Sequence, residues 1–136
     1  MNKELRKVIV KENEFKDGVL QPVEVEFQLV NEYFSTSRSW GHISTLFRNG
    51  VEVAETKIRY YNRTWEAYEY QSAMYSVVDM YNDAKRNQFL SDYLTKQNKN
   101  RFARNEKLQA LDEYKNTQYF KEYEQLRNAI STRNFD

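Results

Sequence analysis

The spacing of apolar residues changes once along this chain, and that change confines it to few architectures. Up to Tyr60 apolar side chains alternate with polar ones, as on a strand with one buried face. Beyond Tyr70 they recur at steps of three and four, as on a helix. The stretch YYNRTWEAYEY, from Tyr60 to Tyr70, therefore joins a β half to an α half. Strands followed by helices predict an α+β fold: an N-terminal antiparallel sheet of two β-hairpins (about four strands) over residues 1–61, then two long C-terminal α-helices over 64–95 and 101–131. The 136 residues fit a single domain that buries roughly two-thirds of its unfolded surface.

Two dipeptides mark the hairpins. Asp17-Gly18 and Asn49-Gly50 are residues that tolerate the positive φ a type I′ turn needs at both central positions. Folding at Asp17-Gly18 sets Val10 opposite Val25, Val8 opposite Phe27 and Lys11 opposite Glu24, so like meets like and opposite charges pair. Pro22 marks a strand start or an edge. Folding at Asn49-Gly50 sets Thr45 opposite Ala54, His42 opposite Lys57 and Trp40 opposite Arg59. This register makes Ile43, Phe47, Ala54, Ile58 and Tyr60 the core face, and leaves Trp40, His42, Glu55, Lys57 and Arg59 on a partly solvated face. Trp40 beside Arg59 would then be a cation–π pair, worth ~0.5–1 kcal/mol when exposed.

Thr64 is a candidate helix N-cap, with Glu66 in the first turn. From there Ala67, Tyr70, Met74, Val77, Tyr81 and Ala84 form a stripe. The resulting helix is about 45 Å long at 1.5 Å per residue, more than the sheet needs, so its excess should pack on something else. Gln97-Asn98-Lys99-Asn100 breaks it, being polar and low in helix propensity. A second helix then carries Phe102, Leu108, Leu111, Tyr119, Tyr123, Leu126 and Ile130 on one stripe. The two helices present more apolar surface than one sheet face covers. An antiparallel helix pair, completed by a homodimer through the C-terminal helices, would bury it.

Few catalytic chemistries have the residues they need. There is no cysteine and one histidine, His42, so thiolate sites and paired-histidine metal sites lack ligands. No zinc-protease, nucleophile-elbow, Walker or dinucleotide-binding pattern is present, and three glycines leave little for a phosphate cradle. The acids Glu24 and Glu26 read as a solvated strand face. The expectation is a protein that is not an enzyme, with no catalytic residues, metal or cofactor. The N-terminus has no long apolar run, and nothing approaches the ~20 apolar residues of a membrane span, so a cytoplasmic protein without membrane contact is expected.

Binding surfaces are better represented. Lys96, Lys99, Arg101, Arg104 and Lys107 lie within one short stretch against a single acid, Glu106. With Asn98, Asn100 and Asn105 among them, they read as a turn that could face phosphates or an acidic protein surface, or as an ordinary solvated connection. A second group is aromatic. Trp40, Tyr60, Tyr61, Trp65, Tyr68 and Tyr70 gather about the joint, and Tyr60 and Tyr61 must point to opposite faces of a strand. Core packing accounts for most of them. One exposed tyrosine with Arg59 or Arg63 is a candidate hot spot, where Tyr, Trp and Arg are enriched.

The segment Ser37–Ser72 resembles small accessory proteins encoded by phages and mobile elements of Gram-positive bacteria, which carry a Y-x-N-R-T-W-E-x-Y-x-Y/F-Q core after a hairpin. Tyr60, Asn62, Arg63, Thr64, Trp65, Glu66, Tyr68, Tyr70 and Gln71 match it. The resemblance implies a small cytoplasmic protein that acts by binding a host protein, such as a CRISPR nuclease or another defence nuclease. Three readings follow: a non-enzymatic inhibitor of a host factor acting by occlusion, a nucleic-acid-binding protein using Lys96–Lys107, and a sponge for an anionic nucleotide held between aromatics and arginines at a subunit interface.

Overall fold

Both turn dipeptides carry the backbone their residues favour. In the computed structural model, which describes residues 3–60 and 70–136, φ is 54° at Asp17, 77° at Gly18, 50° at Asn49 and 82° at Gly50. Positive φ at both central residues matches the right-handed twist of the flanking strands. The turns join β1 (Lys3–Lys16) to β2 (Val19–Ser35) and β3 (Trp40–Arg48) to β4 (Val51–Tyr60). The four strands form one antiparallel sheet in the order β1-β2-β3-β4. Among the described residues three helices follow: α1 (Tyr70–Lys96), α2 (Glu106–Tyr114) and α3 (Gln118–Thr132). The fold is α+β, as the apolar spacing implies.

The first hairpin keeps its expected register, with Val8 opposite Phe27, Val10 opposite Val25 and Lys11 opposite Glu24. The second does not. Arg48 pairs with Val51 and Phe47 with Glu52, but Leu46 pairs with Ala54, so Val53 is an extra residue in a β-bulge. Every rung beyond it is shifted by one. Trp40 lies opposite Tyr60, not Arg59, and His42 opposite Ile58, not Lys57. The slip exchanges the faces of β3: Trp40, His42, Ser44 and Leu46 are buried, whereas Ile43 and Phe47 stand half-exposed on the open face. Ala54, Ile58 and Tyr60 keep the inward face expected of them. The bulge therefore brings the inward residues of β3 and β4 onto one side.

Among the described residues, helices cover that side alone. α1 crosses β4 and β3 toward β2, with Ser76 beside Thr56 and the Tyr81 ring edge-on to Phe27 at 6.5 Å. α3 packs on α1 and β1. The core is built from Val8, Val10, Val25, Phe27, Leu29 and Leu46 of the sheet, Met74, Val77, Val78 and Tyr81 of α1, and Leu126, Ala129 and Ile130 of α3. Within this layer the Ser44 hydroxyl donates to Asn31 Oδ1 at 2.8 Å, pairing two buried polar side chains across neighbouring strands. Burial pushes the Tyr81 phenol up to about 12.

The second long helix is two helices. Thr117, with φ −80° and ψ 157°, caps α3 by accepting a hydrogen bond from Phe120 N, and its hydroxyl donates to Tyr114 O at 2.7 Å. A threonine in this conformation satisfies an otherwise unpaired N–H at a helix start, which ends α2 and lets α3 turn back to the sheet. The excess length of α1 packs on α2: the Tyr114 hydroxyl donates to Asn82 Oδ1 at 2.7 Å, and the Tyr114 ring lies 5.5 Å from Phe89. The expected Thr64 cap and the expected helical residues 64–69 lie outside the described residues.

Candidate partner-binding surfaces

The aromatic group is mostly structural. Trp40 retains 6% of its exposure and stacks on Tyr60 with ring centroids 4.5 Å apart. His42, 1% exposed, packs 4.4 Å from the Tyr70 ring and 5.9 Å from Tyr33. The single histidine is thus enclosed by aromatic rings at the N-terminal end of α1, and Trp40 has little surface left for a partner. Arg59 is exposed on the open sheet face, where its guanidinium carbon stands 5.5 Å from the Phe34 ring and Lys57 Nζ stands 4.6 Å from the same ring. The cation–π contact expected of Trp40 is made by Phe34 instead. Phe34 also lies across Gly41, where an added Cβ would sit 2.8 Å from the ring and 2.0 Å from Ile58 O. Tyr61 and Arg63, with Asn62, Thr64, Trp65, Glu66 and Tyr68, lie outside the described residues.

The basic stretch forms a knuckle between α1 and α2. Lys96, Lys99, Arg101, Arg104 and Lys107 are all exposed, and with Glu106 they leave a net charge of +4 over residues 96–107. Two of the interleaved asparagines serve the backbone: Asn98 and Asn105 adopt φ of 54° and 68°, the left-handed region asparagine tolerates better than most residues. Phe102 anchors the loop by packing 6.0 Å from the Tyr93 ring, and Lys99 Nζ is tied to Glu106 Oε2 at 2.9 Å. Lys96, Arg101, Arg104 and Lys107 are left as the outward charges. The knuckle and the Trp40–Tyr70 cluster sit at opposite ends of α1, whose 27 residues span about 40 Å. They cannot form one contact patch.

A third surface has no counterpart in the sequence reading. β2 has 17 residues and β3 only 9, and their pairing begins at Phe27 opposite Arg48. The stretch Val19–Glu24, with its β1 partners Lys11–Lys16, projects past the sheet as a two-stranded arm about 20 Å long. Phe15 at its tip is 74% exposed, and Val19 and Leu20 are more than half exposed. Pro22 lies opposite Asn13. Lys7 O and Ile9 N point away from β2 to bond Asp136, so by antiparallel alternation the Asn13–Pro22 rung makes no ladder bonds. The N–H that proline lacks would have pointed to the open side. Unequal strand lengths around Pro22 are the signal that could have found this arm.

At the root of the arm a polar cleft of about 860 Å³ separates β1 from α3, lined by Lys11, Glu12, Asn13, Lys121, Gln125 and Asn128 among others. Beneath it Glu122, with none of its surface exposed, accepts from Arg48 Nε and Nη2. Burial pushes the Glu122 carboxyl up against the pull of Arg48. Burial and the neighbouring Glu122 charge raise Glu12 as well. Among the described residues no group of three or more His, Cys, Asp or Glu is placed to hold a metal ion, and no helix is long and apolar enough to cross a membrane. Comparison with known protein families, with curated proteins and with solved structures finds no match for this chain.

Proposed function

We propose that this chain is a non-enzymatic, phage-type binding protein that inhibits a host factor, such as a CRISPR or other defence nuclease, by occluding its working surface. The observation that carries this reading is the knuckle: outward cations held on a loop that an aromatic anchor and an ion pair keep in one shape. Preorganisation of this kind lowers the ordering cost of binding, and clustered cations steer encounter with an acidic protein surface. The test is a plaque assay. Expressed in bacteria carrying a CRISPR nuclease, the chain should restore plaquing by a targeted phage. The triple variant Lys96→Glu, Arg101→Glu, Arg104→Glu should not. Plaquing no better than with an empty vector, across a panel of nuclease types, would exclude the inhibitor reading for them.

The same cations support a second reading, binding of nucleic acid through Lys96–Lys107. Engagement of about four phosphates of a duplex would give a log–log salt slope near −4. Titration against duplex and single-stranded DNA at two salt concentrations separates the two readings. Salt-dependent binding abolished by the triple variant favours nucleic acid, and no binding at ~50 mM salt rejects it.

A further inference from the structure

The arm tip and a pocket at the same end of the molecule both present apolar side chains. On the arm, Phe15 and Leu20 are directly opposite each other and share a face, giving a compact apolar knob; Val19 flanks the turn. The pocket, about 300 Å³, lies between the overhanging half of α1, α2 and the start of α3, and Leu108, Leu111, Tyr114 and Phe120 supply its apolar lining. Leu108 on its lip is 64% exposed, so knob and lip are among the most exposed large apolar side chains of the described residues. Contiguous exposed apolar surface is a mark of protein–protein contact sites.

The net charges of arm and pocket lining are opposite in sign. The tip carries Glu14 and Asp17 against Lys16, and the arm as a whole, residues 11–24, carries four acids against two lysines. Arg86 and Lys115 flank the pocket against Asp112. Arg86 also stands 3.3 Å from Asp83. Position agrees too. Arm and pocket both lie beyond the Phe27–Arg48 rung that ends the wide part of the sheet, because Tyr81 is level with Phe27 and the pocket is built from Asn82 onward. Two elements projecting from the same end can be exchanged by a two-fold axis, each arm meeting the other copy's pocket. Such a closed contact avoids the open polymer that a one-way knob-and-pocket contact produces.

We propose that the arm tip of one copy seats in the α1–α2–α3 pocket of a second copy, reciprocally, making a closed dimer. Phe15 and Leu20 fill the pocket, and Asp17 at the turn faces Arg86 and Lys115 on its rim. This contact is independent of the host-factor reading, which uses the knuckle cations.

Sedimentation velocity over a hundredfold range of concentration tests it. The chain should pass from monomer to dimer and no further. Phe15→Glu and Leu108→Glu, both at exposed positions and checked for native far-UV circular dichroism, should each raise the dissociation constant at least tenfold. Mixing the two variants decides between an arm-to-pocket contact and any other. The intact arm of the Leu108→Glu copy can still enter the intact pocket of the Phe15→Glu copy, so the mixture should form a heterodimer weaker than the parent dimer. A parent chain that stays monomeric overturns the proposal, as does a dimer indifferent to either variant. A mixture that recovers no dimer does so equally.

Discussion

Glu122 on α3 gives one carboxylate oxygen, Oε1, to both Nε and Nη2 of Arg48 on β3, at 3.1 and 2.9 Å, while its Oε2 is buried without a hydrogen-bonding partner among the described residues. The pair ties α3 to the sheet and is only half satisfied. Arg48→Met should therefore destabilise strongly, by about 3–5 kcal/mol, because a buried charge is left uncompensated. Arg48→Met with Glu122→Leu should recover most of that loss. Urea denaturation of the two variants checks it, and equal stability of single and double variants would contradict the pairing.

The same site sets a pH dependence. Burial raises both Glu122 and Glu12 above the ordinary carboxylate value, and Glu12 Oε1 is likewise buried with no hydrogen-bonding partner among the described residues. A carboxyl raised in the folded state binds its proton more tightly there than in the unfolded chain. Its stabilising contribution is complete below the unfolded pKa and is lost as pH rises through the folded one. The denaturation midpoint should fall as pH rises above the ordinary carboxylate range. Glu12→Gln, which removes one of the two like charges, should flatten that slope.

Gly41→Ala should destabilise by roughly 1–3 kcal/mol, or prevent folding. The added methyl would meet Ile58 O at 2.0 Å, and backbone cannot move aside as a side chain can. Gly41→Ala combined with Phe34→Ala relieves only the ring contact, so thermal melting of the pair should show little rescue.

Tyr114→Phe removes the hydroxyl that pins α2 to α1 and leaves Asn82 Oδ1 buried without that donor. A loss of about 1–3 kcal/mol is expected. Because α2 packs on α1 and not on the sheet, amide exchange should accelerate in α2 more than in β2 or β3. Uniform acceleration would show that α2 unfolds only with the whole domain.

What could be read from the residues alone divides along physical lines. The first hairpin was legible to its register, because a two-residue turn with positive φ at Asp17 and Gly18 leaves the strands no freedom to slide. The second turn was equally legible, but a bulge at Val53 costs one unpaired residue and has no composition of its own, so the faces of β3 came out reversed and Trp40 seemed available. The break at Asn116-Thr117 was hidden by a stripe that continues in phase across it from Leu111 to Tyr119. A threonine that caps a helix is spelled like one that merely sits in it. Lys96 to Lys107 were legible as a cluster because they are contiguous. The arm was not, since its exposure depends on where β3 stops.

A two-stranded ribbon reaching past its sheet offers backbone on both flanks, and this is how strands recruit further strands into fibres. On the β2 flank, Pro22 places a missing donor and a rigid ring in the middle of the open side. Replacing it would leave the fold intact and still change how the protein behaves in concentrated solution. The ring at this one position allows the chain to expose Phe15 and Leu20 as an offer to one specific surface, and denies the same opportunity to every passing strand.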